Sequence, residues 1–283
     1  MSSIYEIKAR IKSVESTEKM TKTMKLVSTS KMHQTQSRLY KIEGFAEKCR
    51  QAMGMVVSDI SGEECPLMAK REIQKTCYVL FVGNRGLCGA YNTDVVKYLY
   101  SLTAREEKEY CTVICGRWSG EYGQAKKLNV LRLFGDMEDV PSQEKTTELS
   151  AFLKELYISG QADRIVLVYQ KRAALSQRPR QLQLLPIEAT EEGAAGEFIF
   201  EPDKLSLVNT ITSMYVDSTV ATTLLEAKVS EHFARMTAMT NAIDNADELL
   251  HELNLTLNRT RQAKITTEIS EIVGGANALR NGE

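Results

Sequence analysis

With 283 residues, 43% apolar, 26% charged and a formal net charge of -1, the chain has the composition of one large or two modest globular domains. Near-neutral charge excludes a surface built throughout for nucleic-acid phosphates. No apolar run reaches the ~18 to 20 residues needed to span a bilayer, and Met1–Ile11 lacks the apolar core of a signal peptide, so any membrane contact is expected through another protein.

From Met1 to Glu43 there is no glycine or proline, which predicts a long N-terminal helix, taken here as residues 1–60 with Gly44 and Gly54 as tolerated weak points. Met32, Thr35, Leu39, Ile42, Ala46, Cys49, Met53, Val56 and Ile60 recur at spacings of three and four, a heptad seam. Ile4, Ile7, Ile11 and Val14 form a second, shorter run before it. Residues 1–50 carry eleven Lys or Arg against five Glu, so an acidic partner is expected along this helix.

After Pro66 the texture changes to short apolar runs with turn signals, which predicts a central α/β domain over residues 76–200. Cys77–Val82, Cys111–Cys115, Val130–Phe134, Ile165–Tyr169 and Leu182–Leu185 read as strands, and Thr93–Ala104, Trp118–Leu128 and Ser142–Ile158 as helices between the first four. Alternating strand and helix imply an open, Rossmann-like sheet with right-handed crossovers. The loop Gly83–Asn92 follows the first strand and opens a helix, where a phosphate would bind. Its GxxGxxG spacing matches neither a dinucleotide fingerprint nor a P-loop, so a tight turn with close packing is the expected role of its glycines.

From Asp203 to Val273 helix breakers are again absent, which predicts a C-terminal helix within residues 203–283; at ~1.5 Å per residue it reaches roughly 100 Å. Val229, His232, Met236, Met239, Ile243, Ala246, Leu250, Leu253 and Leu257 form its seam. The two terminal helices belong to one chain and a domain separates them, so an intramolecular antiparallel coiled coil is expected, with an intermolecular dimer as the rival. Beyond Leu257 the seam is expected to fail, because Thr260 and Lys264 fall at its positions while Ile265, Ile269, Ile272 and Val273 follow another register. A helix that outruns its mate with an apolar stripe predicts a sheath made by another subunit.

Catalytic, metal and cofactor chemistry finds no constellation. The six cysteines, Cys49, Cys65, Cys77, Cys88, Cys111 and Cys115, contain no CxxC and are expected as free thiols. His251–Glu252 begins like a zinc-protease helix, but Leu255 stands where the second histidine belongs. His232 is expected to be packed or hydrogen-bonded and His33 to face solvent. The basic helix followed by heptads leaves a dimeric coiled-coil nucleic-acid-binding protein as the alternative, against which Glu6, Glu15 and Glu18 interrupt the basic run.

Thr260–Ala276 (TRQAKITTEISEIVGGA) closely resembles the C-terminal signature of the γ subunit of F-type ATP synthases. Ile7–Val14, Lys19–Val27, Arg85–Asn92 and Phe198–Asp203 add to the resemblance in the same order along the whole chain. Ser28, Thr29 and Ser30 depart from it, standing where alanines are common. The resemblance implies a non-catalytic central-stalk rotor, one copy per complex, without cofactor and without nucleic acid. Its terminal helices form a curved coiled coil inside a ring of α and β subunits, and transmit ion-driven c-ring rotation to the catalytic sites for ATP synthesis or the reverse. It further implies catalytic-ring contacts at Met24, Lys25, Arg261, Gln262, Thr266 and Glu268, and a bearing tip at Ile265, Ile269, Ile272 and Val273. Contacts to the ε subunit and the c-ring are implied at Phe198, Phe200, Glu201 and Asp203. With no transit peptide before the first helix, a bacterial chain, peripheral on the cytoplasmic face of the cell membrane, is expected.

Overall fold

The structure is a computed structural model that describes residues 3–57, 65–104, 106, 108–117, 128–135, 137–173, 176–188 and 203–280. Its elements in chain order are α1 (Ile4–Val57), β1 (Lys75–Phe81), α2 (Tyr91–Thr103), β2 (Glu109–Cys115), β3 (Val130–Phe134), α3 (Gln143–Ile158), β4 (Arg164–Ala173), β5 (Ser176–Leu185) and α4 (Lys204–Arg280). The expected helix Trp118–Leu128 lies outside the described residues apart from Leu128, which is buried.

The strands form one sheet in the order β3-β2-β1-β4-β5. β1 pairs in parallel with β2 and β4, β2 in parallel with β3, and only β5 is antiparallel, to β4. This is the expected mixed α/β architecture, and β1 is central because both its faces are apolar. Cys77, Val79 and Phe81 enter one core with Leu149 and Leu153 of α3 and Val216, Val220 and Leu224 of α4. Tyr78, Leu80 and Val82 enter the other with Val95, Val96 and Leu99 of α2. Period-2 alternation thus feeds two layers from one strand. Cys77, Cys111 and Cys115 lie in the first core as small buried hydrophobes, and all six thiols are free and buried.

The helices begin on side-chain caps where the sequence provides them. Ser142 accepts from the Lys145 N–H at the start of α3, and Asp203 accepts from the Ser206 N–H at 2.8 Å at the start of α4.

Contacts divide the chain into two compact units, Met1–Val27 with Met236–Glu283, and Ser28–Arg235. Helices α1 and α4 contribute to both. In the first unit Glu18 of α1 faces Asp247 of α4, and in the second the Cys49 thiol is hydrogen-bonded to Ser218, so in each unit α1 packs against α4 of the same molecule. Burial along α1 follows an unbroken heptad. The two apolar runs seen in the sequence are joined by Glu18, Thr21, Lys25 and Ser28, each buried or half-buried at successive seam positions. On α4 the expected seam residues from Val229 to Leu257 are buried or half-buried, and Thr260 extends the series by one position.

Candidate functional site on the terminal helices

In the first unit the end of α4 has no mate among the described residues: every residue from 261 to 277 is exposed. At about 100° per residue, the seam positions after Thr260 fall on Lys264, Thr267 and Glu271, all polar. Ile265, Ile269, Ile272 and Val273 lie on a stripe turned by roughly 150° from that seam. The stripe is not a continuation of the face that packs on α1. Arg261 and Glu268 lie on one side of its midline and Gln262 and Thr266 on the other, so the eight tip residues singled out from the sequence share one half of the helix. Their local bonds leave this face presentable. The Thr266 hydroxyl donates to the Gln262 carbonyl at 3.0 Å, and Lys264 pairs with Glu268 at 3.7 Å in a solvent-exposed contact of little energetic weight.

On α1, Met24 is exposed and Lys25 is half-buried at a seam position. Met20, Leu26 and Val27 are also exposed there, an apolar patch among basic residues that sequence reasoning passed over because its members lie off the heptad. Glu18 is buried beside Lys22, whose ammonium bonds it and holds its carboxyl below the usual range against the effect of burial. Of the segment expected to meet the ε subunit and the c-ring, Phe198, Phe200 and Glu201 lie outside the described residues, and Asp203 is the exposed cap of α4.

In the second unit a polar cluster ties α4 to the loop after β1. In an open sheet of this order, ligands bind beyond the carboxyl ends of the strands where β1 and β4 diverge. Here that place is occupied by Glu231 of α4, which is fully buried. A Cβ on Gly83 would lie 3.1 Å from its Cδ and Oε1, so the first glycine of the loop serves close helix packing, as its spacing predicted. Glu231 pairs with Lys228 at 2.8 Å and with Arg235 at 2.7 Å. Burial pushes its carboxyl up, but the two cations outweigh this and hold it below the ordinary carboxylate value. Arg235 in turn donates to the carbonyl of Arg85 at 3.1 Å, and the Tyr91 hydroxyl donates to the carbonyl of Ala227 at 3.0 Å. Sequence reasoning missed Lys228, Glu231 and Arg235. Their one signal is the i, i+3 and i, i+4 spacing of opposite charges beside the seam.

His232 is buried next to this cluster. Its Nε2 lies 2.9 Å from the Asp139 carbonyl, which can only accept, so the ring proton sits on Nε2 and Nδ1 faces the Arg235 guanidinium at 3.4 Å. Burial, with Arg235 and Lys228 nearby, lowers its pKa. Asp139 also pairs with Lys31 of α1, and Arg38 donates to the Pro141 carbonyl at 2.9 Å.

A cleft of about 700 Å³ opens beside Tyr78, Glu106, Arg164 and Gln183. It lies at the amino ends of β1 and β4, the wrong end of the sheet for a nucleotide, and Glu106 there is bound by Thr76, Tyr78 and Arg164.

A family model described as ATP synthase matches residues 3–279. The ATP synthase gamma chain of Desulfitobacterium hafniense is 38% identical over 280 residues, covering 99% of this chain and 100% of that protein. That of Pelotomaculum thermopropionicum is 35% identical over 283 residues, with 99% and 100% covered. The chain belongs to the ATP synthase gamma chain family. A chain of the Euglena gracilis mitochondrial ATP synthase, from an OSCP/F1/c-ring assembly in rotational state 3, shares this fold with a TM-score of 0.68 at 24% identity, over 99% of this chain and 95% of that one. As a gamma chain the protein is a component of the synthase complex. No helix among the described residues is long and apolar enough to cross a membrane.

Proposed function

We propose that this gamma chain is the non-catalytic central-stalk rotor of an F-type ATP synthase, passing ion-driven c-ring rotation to the catalytic αβ ring, or running in reverse to pump ions on ATP hydrolysis. One observation carries the reading: beyond Thr260, α4 keeps an apolar stripe that faces away from the line of its own partner helix, and every residue from 261 to 277 is exposed. Such a stripe calls for a surrounding sleeve, and α and β subunits provide it. Non-directional contacts of Ile265, Ile269, Ile272 and Val273 permit turning, while Arg261, Gln262, Thr266 and Glu268 at the stripe's edges, with Met24 and Lys25 on α1, make polar and sulfur contacts to ring loops. The shaft biases each catalytic site only by the difference in its interaction free energy with open and closed forms, so nucleotide affinity follows the angle. The segment Phe198–Asp203 meets the ε subunit and the c-ring, one copy serves each complex, and the protein is peripheral on the cytoplasmic face of a bacterial membrane. The nucleic-acid alternative draws no support from the comparisons. Tagged protein purified from native membranes is expected to bring down α and β subunits with ATPase activity, and its recovery without either overturns the reading.

A further inference from the structure

The apolar contacts between α4 and the sheet face, through Val216, Val220 and Leu224, resist separation but have no preferred direction for sliding or turning. Among the described residues, α4 meets the α/β elements through neutral hydrogen bonds, from the Tyr91 hydroxyl to the Ala227 carbonyl, from Gln177 to the Ser230 carbonyl and from His232 to the Asp139 carbonyl, and through ion pairs. The Lys154–Asp217 pair at 2.8 Å and the Lys171–Glu226 pair at 2.5 Å each have one side chain more than two-fifths exposed. Water competes for these, and exposed pairs hold geometry weakly. Lys228, Glu231 and Arg235 differ in the burial of the carboxylate they share: the side chains are 3%, 1% and 12% exposed, so Glu231 without its cations has no solvent to turn to, while Arg235 carries the cluster outward to loop carbonyls at the surface. Glu231 lies against Gly83, where a bound anion would sit in a sheet of this type, and aligns Arg235, which reaches the carbonyls of Arg85 and Gly86.

We propose that Glu231 is a built-in anion that locks the Gly83–Gly86 loop to α4 through Arg235, and that this lock is the rigid joint by which torque applied to the α/β domain enters the shaft. The proposal rests on the rotor reading. Glu231 is a positioning residue: it touches no nucleotide and acts through Arg235. It stays ionised despite full burial because both cations are supplied by its own helix one turn away on either side. Arg235 is the last residue of the second unit, so the lock sits at the end of the stretch of α4 that the α/β elements hold.

The test uses the assembled complex in inverted membrane vesicles, reading ATP hydrolysis and ATP-driven proton pumping side by side. Glu231→Gln keeps the shape and removes the charge, and is expected to leave hydrolysis unchanged while pumping per ATP falls about fivefold or more, since Lys228 and Arg235 lose their common partner. Glu231→Ala is expected to lose coupling likewise and to regain at least half of it in formate, a small carboxylate that fits the vacated place, but not in chloride at equal ionic strength. A role in packing alone gives no rescue by formate and leaves Glu231→Gln coupled. Wild-type coupling in Glu231→Gln, or no rescue of Glu231→Ala, overturns the proposal. If neither variant assembles, Arg235→Gln decides: uncoupling supports the joint and normal coupling removes it. A wild-type chain that fails to assemble with α and β subunits sinks the rotor reading instead, so the two failures are told apart.

Discussion

Replacing Ile269 and Ile272 together by serine separates the stability of the chain from its fit in a sleeve. In the free chain these side chains are 56% and 71% exposed. Isoleucine and serine have similar helix propensities, so the thermal unfolding of the isolated double variant should match wild type within about 0.5 kcal/mol. In the complex the balance changes. Full burial of an isoleucine contributes about 1.5 to 3 kcal/mol, and scaling by the fraction still exposed gives about 2 to 4 kcal/mol for covering both. At ~1.4 kcal/mol per factor of ten, the variant should bind the α3β3 ring about 30- to 700-fold more weakly. Titration of fluorescently labelled chain with purified α3β3, read by anisotropy, measures this directly, with circular dichroism of the free chain as the control. Equal affinity of variant and wild type would refute the claim that the stripe is sheathed by the ring. A large loss of stability in the free variant would refute the claim that the stripe has no partner within the chain.

Other expectations follow from the same contacts. Arg261→Ala with Gln262→Ala should leave the free chain as stable as wild type and lower proton-driven ATP synthesis without abolishing nucleotide binding by the complex; unchanged synthesis would remove both residues from the contact set. Because burial depresses the His232 pKa below 6.5, the unfolded chain binds the proton more tightly, so stability is highest above pH 6.5 and falls as pH drops from there through the lower folded value. Asp139 and Glu231, both held below their ordinary values, stay charged through that window, so urea melts of His232→Gln should lose most of the slope between pH 6.5 and 5. Gly83→Ala places a methyl 3.1 Å from the Glu231 carboxylate and 3.2 Å from Asn92 Oδ1, and should cost about 1 to 3 kcal/mol in urea denaturation.

The long helices were legible in the sequence because a helix needs only local information: the absence of breakers from Met1 to Glu43 and Asp203 to Val273, and apolar residues at heptad spacing. The central strands β1, β2 and β4 were legible for a related reason, since a strand buried on both faces must be apolar, whereas the edge strand β5 runs from Ser176 through a polar stretch of which only Leu182–Leu185 read as strand. Family signature residues at the tip were visible too, and the departure of Ile265, Ile269 and Ile272 from the seam could be counted off residue by residue. Three things waited on the tertiary structure. The seam of α1 is continuous through Glu18, Thr21, Lys25 and Ser28, which a search for apolar periodicity reads as a gap, because burial beside a partner helix does not require an apolar side chain when a neighbouring charge or carbonyl satisfies it. The exposed patch of Met20, Leu26 and Val27 appears only once the partner face is known. Lys228, Glu231 and Arg235 read as a solvated charged face in one dimension, and become a buried lock only because the loop at Gly83, about 150 residues away in sequence, folds onto them. Local periodicity determines which segments are helices and strands; whether a charge meets water or another part of the chain is a long-range fact that only the packed fold decides.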